Sequence, residues 1–318
     1  MCSETVRRID MTEIDGGSMA YIFSYFIGEN VDGEQIFLSV SKDGLHWEDL
    51  NHGKPVIVSH VGDEGLRDPF LIRKHDGSGF VMIATDLRIA NGQGWEAAKT
   101  VGSRNLAVME SADLVHWSEP VLVEVGVEGA GCVWAPEAIY EEEKDDYLVF
   151  WASNITLKGE TERKQRIYAA RTTDFHSFGE PFVFLERENH VIDTTMAYED
   201  GYYYRFSKDE TIKTIRVDRG TSLDPDCFEA VEVSVLQNLF GVEGPEIYWL
   251  KDRSQWCLIV DRFATDGGYL PLLCSSLSAC DFRILEDSEF DMGMTKKRHG
   301  GVIEITDEEY ETLKRDLL

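Results

Sequence analysis

No stretch of the sequence approaches the roughly 18–20 consecutive apolar residues that a bilayer-crossing helix needs, so a helical membrane protein is excluded. Cysteine is scarce and unpatterned. Six occur (Cys2, Cys132, Cys227, Cys257, Cys274 and Cys280), none in a CxxC pair and none clustered with histidine at zinc-ligand spacing. Cys257 and Cys274 stand in apolar, strand-like runs, which reads as burial. Positive charge is in the minority, with 31 Lys and Arg against 59 Asp and Glu, a formal net charge of −28. Such a field repels phosphates and anionic lipid, which excludes nucleic acid and membrane as partners. Neutral, water-soluble ligands such as oligosaccharides remain compatible. The opening residues MCSETVRRID lack the apolar core of an export signal. The expected location is therefore reducing and cytoplasmic, with an export signal trimmed ahead of Cys2 as the alternative. The sequon Asn154-Ile155-Thr156 matters only if the chain is secreted. Helical periodicity is scarce too. Only the tail carries it, where Thr306 and Glu309 form a capping box ahead of Tyr310, Leu313 and Leu317.

What fills the chain is strand. Runs at 21–26, 35–40, 80–85, 106–109, 147–152, 166–170, 202–206, 211–217, 256–260, 270–274 and 302–305 are rich in β-branched and aromatic residues. Short Gly/Asp/Glu/Lys segments such as 75–79 and 141–146 separate them and read as hairpin tips. With 43% hydrophobic residues the 318-residue chain has material for a substantial core, and barrels and propellers run this long as one unit. A single domain over 1–318 is expected.

Two offset repeats define the architecture. One phrase reads Ser41-Lys-Asp43-Gly-Leu-His-Trp47, Ser111-Ala-Asp113-Leu-Val-His-Trp117 and Thr172-Thr-Asp174-Phe-His-Ser-Phe178, with degraded copies ending at Phe228 and Phe282. A period of about 50–60 residues with four strands per unit matches propeller blades. The Asp of each phrase is expected to bond its own backbone in a turn and the aromatic to anchor an outer strand, a structural role. The second repeat opens each blade: Arg67-Asp68-Pro69-Phe70, Trp134-Ala-Pro-Glu137, Ile192-Asp193-Thr-Thr195, Glu243-Gly-Pro-Glu246 and Arg298-His299-Gly-Gly301. Five openers and five closers predict an all-β, five-bladed β-propeller. The last opener has one strand and the tail helix after it, and the first closer has only the strands from about Met19 before it. These N- and C-terminal strands should combine into the closing blade, leaving no exposed edge.

Innermost strands come first in each blade, so the openers gather Asp68, Trp134, Asp193, Glu243 and His299 around one funnel mouth. Glycosidic hydrolysis needs a proton donor for the leaving oxygen and a carboxylate that activates water or attacks carbon. One acid must stay protonated near neutral pH, which burial or a neighbouring negative charge provides. Three carboxylates at one mouth meet that need together, although each alone is a common turn or strand-start residue.

In this order, the motifs Arg67-Asp68-Pro69, Trp134-Ala-Pro-Glu137, Val191-Ile-Asp193 and Val242-Glu243-Gly-Pro245, together with the closers, resemble glycoside hydrolase family 43, the arabinofuranosidase and β-xylosidase propellers. The likeness runs from about Met19 to Thr306. It implies that Asp68 is the general base, Glu243 the general acid and Asp193 a third carboxylate that orients the acid. It implies an inverting single displacement, in which base and acid stand about 6.5–9.5 Å apart. It also implies that no cofactor is required, and that His299 holds a calcium or sodium ion near the axis through water. Trp134 is a candidate sugar-stacking wall. Glu137, Arg298, Asp86 and Arg262 are candidate sugar-binding residues, with Asn154 and Ser207 in positions like that of Asp86. Residues 87–105 form a long insertion expected as a loop that rims the funnel and offers Trp95 as an outer subsite.

The sequence departs from the family pattern in three places. About fifty residues of strand precede Asp68, Thr194-Thr195 replaces a common Pro-Ser, and Glu137 stands where Asp is usual. Sucrose-cleaving relatives start from Asn-Asp-Pro and end on Glu-Cys, neither of which occurs here. The expected activity is an exo-acting α-L-arabinofuranosidase on small plant-derived oligosaccharides. A β-xylosidase or an endo-acting arabinanase or xylanase is the near alternative, decided by the loops around Trp95 and 238–241. A non-catalytic carbohydrate-binding propeller and a protein scaffold are alternatives of another class. Oligomeric state is not encoded in any of these patterns.

Overall fold

The computed structural model describes residues 19–318, so Cys2 and the opening segment lie outside the described residues. Twenty strands form five antiparallel sheets of four. Blade I takes Leu66–Arg73, Phe80–Asp86, Asn105–Ser111 and Val121–Glu124, from the axis outward. Blade II takes Trp134–Glu141, Asp146–Ile155, Lys164–Thr172 and Phe182–Leu185; blade III takes Val191–Glu199, Tyr202–Asp209, Thr214–Gly220 and Phe228–Val231. Blade IV takes Glu243–Leu250, Gln255–Asp261, Tyr269–Cys274 and Arg283–Ile284. Blade V begins with Arg298–Thr306 and continues with Met19–Phe26, Phe37–Ser41 and Glu48–Asp49. Each innermost strand touches the innermost strands on either side, which closes the ring. This is the five-bladed propeller expected from the repeats, with the expected two-ended closing blade.

The core is divided among the interfaces between blades. Strand side chains alternate between faces, and here both faces of the three inner strands of each blade are covered, while the outermost strands stay partly exposed. Within Met19–Phe26, Ala20 and Ile22 pack with Leu66, Leu71 and Met82 of blade I. Tyr21, Phe23 and Tyr25 pack with Tyr248, Ile259 and Tyr269 of blade IV. Equivalent clusters fill the I–II, II–III and III–IV interfaces. Cys257 and Cys274 are buried in two of these layers, and all five described cysteines are free thiols.

Ring closure is a ladder that runs from Met19 on Thr306 to Phe26 on Arg298, with one slip between Tyr25 and Phe26 that leaves His299 out of the pairing. Gly300 allows this approach, since a Cβ there would lie 2.0 Å from the Ser24 carbonyl. The closers behave as read. Asp43 Oδ1 accepts from the backbone of Leu45 and His46, Asp113 Oδ1 from Val115 and His116, and Asp174 Oδ1 from His176 and Ser177. The tail helix Asp307–Leu317 starts on the expected capping box, and its Glu309 also takes both terminal nitrogens of Arg73 at 2.8 Å.

The tail is not the only helix. The insertion expected as a plain loop contains Gly94–Val101, which buries Ala98 and is tied to blade II through Asn154 Nδ2 on the Lys99 carbonyl. One turn of α-helix, Ser234–Gln237, precedes blade IV. Both are too short for their periodicity to stand out among the strands.

Candidate active site

A bulge opens each of the five innermost strands. Pairing with the second strand slips between Arg67 and Phe70, between Trp134 and Glu137, between Ile192 and Thr194, between Glu243 and Glu246, and between Arg298 and Gly300. One residue in each of the first four slips is left-handed: Asp68 (φ 49), Ala135 (φ 46), Asp193 (φ 46) and Gly244 (φ 50). Bulges re-aim side chains, and non-glycine residues in this region carry strain that clusters at functional sites. The equivalence Asp68–Trp134–Asp193–Glu243 read from sequence is therefore one residue out of step. Asp68 and Asp193 occupy the bulge itself, whereas Trp134 and Glu243 stand just ahead of it. Gly244 has no substitute here, because a Cβ would lie 2.9 Å from the His299 ring.

His299 is the hub. Its Nδ1 lies 3.5 Å from Asp68 Oδ1 and 3.8 Å from Asp193 Oδ1. Burial opposes charge on this ring, but the two carboxylates outweigh it and push the pKa up to about 9. Asp68 also accepts from Thr85 Oγ1 at 2.9 Å, and that hydroxyl accepts from the Ala135 N–H at 2.8 Å. Burial would raise Asp68, yet His299, Arg67 and Thr85 together hold it below the usual carboxylate range. Asp193 differs. Burial is its largest influence and, with Glu243 and Asp68 nearby, lifts it to about 6 despite His299 and Lys208. Its Oδ2 accepts from the Gly244 N–H at 3.1 Å, which fixes the residue adjoining Glu243.

Glu243 is gripped by two cations. Lys208 Nζ donates to Oε2 at 2.6 Å and Arg298 Nη2 to Oε1 at 2.9 Å. Arg298 reaches across to Asp261 as well, Nε to Oδ2 at 2.5 Å. Arg67, with its guanidinium over Phe26 at 4.4 Å and over Trp95 at 5.0 Å, is tied to the fully buried Glu34 at 2.7 Å. Glu34 also accepts from the Ile89 and Ala90 N–H groups at 2.8 Å, so it organises the root of the insertion. Trp95, 41% exposed, meets the half-buried Trp134 edge to face with ring centres 5.9 Å apart.

Asp68, Asp193, Glu243, Arg298, His299 and Trp134 are thus brought together, while three other sugar-binding candidates are not. Asp86 is buried and staples loops, accepting from the Asp63 N–H at 2.8 Å and from Ser103 Oγ at 2.6 Å. Arg262 bonds the carbonyls of Gly267 and Gly268 in its own loop. Glu137 lies below the mouth, 4% exposed, in a second tier with Thr195 and Glu246. These three residues each follow their bulge by two positions.

The second tier holds two carboxyls in apolar surroundings. Burial and the neighbouring Glu246 push Glu137 well up. Burial lifts Glu246 to about 8, against bonds from the Val302 N–H (2.7 Å) and Thr195 Oγ1 (3.2 Å). A carboxyl whose folded pKa is raised contributes stability that is complete below its ordinary pKa and is lost as pH rises through the folded value. Glu246→Gln, which keeps the acceptor for Val302, should leave urea unfolding at pH 5 nearly unchanged. At pH 9 it should raise stability by on the order of a few kcal/mol. Equal curves for the two proteins at pH 9 would remove the charge argument.

The resemblance implied an axial calcium or sodium ion. Calcium takes about six to eight oxygen ligands. Among the described residues no group of three or more His, Cys, Asp or Glu side chains is disposed to hold a metal, and His299 Nδ1 is turned to two carboxylates. The ion that the resemblance implies is one held by His299 through water rather than by direct ligation, and the imidazolium itself adds positive charge at this level.

Lys208, Thr85, Asp261, Glu34 and Glu246 were missed by sequence reading. Glu246 alone had a usable signal, because Ala-Pro-Glu137 and Gly-Pro-Glu246 are the same phrase in two blades.

A family model described as a probable glycosyl hydrolase domain, related to family 43, matches residues 17–311. An α-L-arabinofuranosidase of Bifidobacterium longum is 29% identical over 284 residues, an alignment covering 75% of this chain and 26% of that protein. The chain therefore spans about a quarter of that relative's length. Among solved structures, an α-L-arabinofuranosidase from Lactobacillus brevis superposes with a TM-score of 0.57 at 13% identity, covering 95% of this chain and 92% of that one. A putative exo-β-1,3-galactanase from Bifidobacterium bifidum does so with a TM-score of 0.57 at 13% identity, covering 91% and 93%. At such identities the two superpositions establish the shared fold.

Proposed function

The chain belongs to the family of probable glycosyl hydrolase domains related to glycoside hydrolase family 43, and from that premise we propose that it is an inverting, exo-acting α-L-arabinofuranosidase on small oligosaccharides. The observation that carries the reading is the meeting of Asp68, Asp193 and Glu243 around His299, from three different blades. Asp68, held ionised by its neighbours, removes a proton from the attacking water as oxygen bonds to the anomeric carbon. Glu243 gives its proton to the departing oxygen as the glycosidic bond breaks. Asp68 ends protonated and Glu243 ionised, and exchange with solvent resets both. Asp193 orients the Glu243 end of its strand through the Gly244 N–H. Trp134 supplies an apolar face for a sugar ring. The arabinofuranosidase assignment is supported by the Bifidobacterium longum relative. The free thiols agree with a reducing, cytoplasmic site of action.

The test is a panel of nitrophenyl glycosides, with α-L-arabinofuranoside expected to turn over faster than β-xyloside or β-galactoside. Proton NMR of the first sugar released from an oligosaccharide should show the inverted anomer. No turnover on any member of the panel would reject the enzyme reading. A retained anomer would reject the single displacement.

A further inference from the structure

The grip on Glu243 conflicts with the task given to it, since a proton donor must carry a proton and here both oxygens accept from cations. Each cation has a second carboxylate partner, and the two arrangements differ. Arg298 spans Glu243 and Asp261 with two different nitrogens of one rigid plane, and Asp261 is 1% exposed. It holds both acids at once and has nowhere to go. Lys208 is a flexible stem with a point charge. Its nitrogen donates to Glu243 and also lies 2.6 Å from Glu210 Oε2, but that second contact is outside hydrogen-bonding geometry. Glu210 begins the 210–213 turn on the rim of the mouth, where Lys213 pairs with it at 2.5 Å, and the Phe263 ring lies 4.5 Å from the Lys208 nitrogen.

We propose that Lys208 is a positioning residue that occupies Glu243 Oε2 in the resting molecule and releases that oxygen by moving fully onto Glu210 when a sugar enters. The inference rests on the reading of Glu243 as proton donor. Once Lys208 turns to Glu210, only Arg298 still bonds Glu243, and Oε2 is free to take a proton from water and face the leaving oxygen. The charged groups around Glu243 are Asp193 from blade III's first strand, Lys208 from its second with Glu210 beyond, Asp261 from blade IV, and Arg298 and His299 from blade V. Of the two cations that bond Glu243, Lys208 and not Arg298 has a second carboxylate that it touches without an aligned bond.

The experiment is the pH dependence of kcat/KM for Lys208→Met, Lys208→Arg and Glu210→Gln on an oligosaccharide whose leaving group needs protonation. Losing an opposite charge in direct contact should move the alkaline limb of Lys208→Met upward by about one pH unit or more. Glu210→Gln, which leaves Lys208 with Glu243 as its one carboxylate contact, should move the same limb downward. Lys208→Arg should restore most of the parent profile. A limb that stays put in both Lys208→Met and Glu210→Gln, or moves the same way in both, overturns the proposal. If Lys208→Met does not fold, Glu210→Gln decides alone, and an unmoved limb there is sufficient to reject it. Glu243→Gln separates the two readings. If it keeps parental turnover on the same substrate, the proton-donor assignment itself has failed. If it is inactive while the limbs are unmoved, only the role of Lys208 has.

Discussion

Asp68→Asn should lower kcat on an aryl arabinofuranoside by about 10²–10⁴-fold, the range for removing a positioned general base, while the protein keeps its cooperative unfolding. The substitution is nearly isosteric. It leaves an oxygen for Thr85 to bond, so the Thr85–Ala135 link between blades I and II survives. What disappears is the charge that, with Asp193, sustains the His299 imidazolium. A second signature follows. The His299 resonance, followed by NMR, should titrate at lower pH in Asp68→Asn than in the parent, because one of its two carboxylate partners is gone. Unchanged kcat would remove Asp68 from the reaction. Lost activity with an unshifted His299 titration would leave Asp68 as base but dissolve the hub.

The largest expected effect on stability lies away from the mouth, at the outer side of the closing blade. Lys297 and Asp49 are both fully buried side chains, 2.6 Å apart. Asp49 also accepts from Ser39 Oγ, Tyr25 Oη and the Thr295 N–H, and the Tyr25 ring lies 4.4 Å from the Lys297 nitrogen. Burial pulls the Lys297 amine down while Asp49 pushes it back; burial would raise Asp49, but Lys297 and Thr295 outweigh it and hold it low. The several donors on Asp49 favour the ionic form of the pair. Lys297→Met leaves a buried carboxylate without its cation and should cost about 3–5 kcal/mol in chemical denaturation. Replacing both residues together, Lys297→Met with Asp49→Leu, should recover most of that loss, because well-packed apolar groups avoid the desolvation of both ions. A single variant as stable as the parent would mean that Lys297 and Asp49 are not ionised against each other in the folded protein. The contribution from Asp49 should be present above its ordinary pKa and vanish as pH falls through the lowered folded value.

The blade count, the two-ended closing blade and the tail cap were legible because each is written in local chemistry. An Asp two residues after a strand end bonds its own turn whatever surrounds it, as Asp43, Asp113 and Asp174 do. The candidate site was legible as far as the carboxylates recur at blade openings. It stopped being legible at one-residue resolution. The bulge that puts Asp68 and Asp193 in left-handed backbone but leaves Glu243 one place ahead depends on register with the second strand, which no single segment encodes. Lys208 escaped because its meaning lies in a neighbouring blade. Within Ser207-Lys208-Asp209-Glu210 it reads as an ordinary charged hairpin tip, and only the packing of blade III on blade IV delivers it to Glu243. Asp86 failed in the opposite direction, since its place at the end of a second strand was right but the Asp63 N–H and the Ser103 hydroxyl had already claimed its oxygens.

The strand that closes the ring, Arg298–Thr306, is also the strand that brings Arg298 and His299 to the mouth. A growing polypeptide therefore carries all three acids, with Thr85, Lys208 and the Gly244 N–H that bond them, before the last two charged partners emerge. The imidazolium and the guanidinium arrive with the last strand and become fixed when it zips onto Met19–Phe26. The organisation of the mouth is in this way a readout of circular completion: until the last strand joins, Asp68 and Asp193 lack the ring that stands between them and Glu243 lacks the second of its two cations.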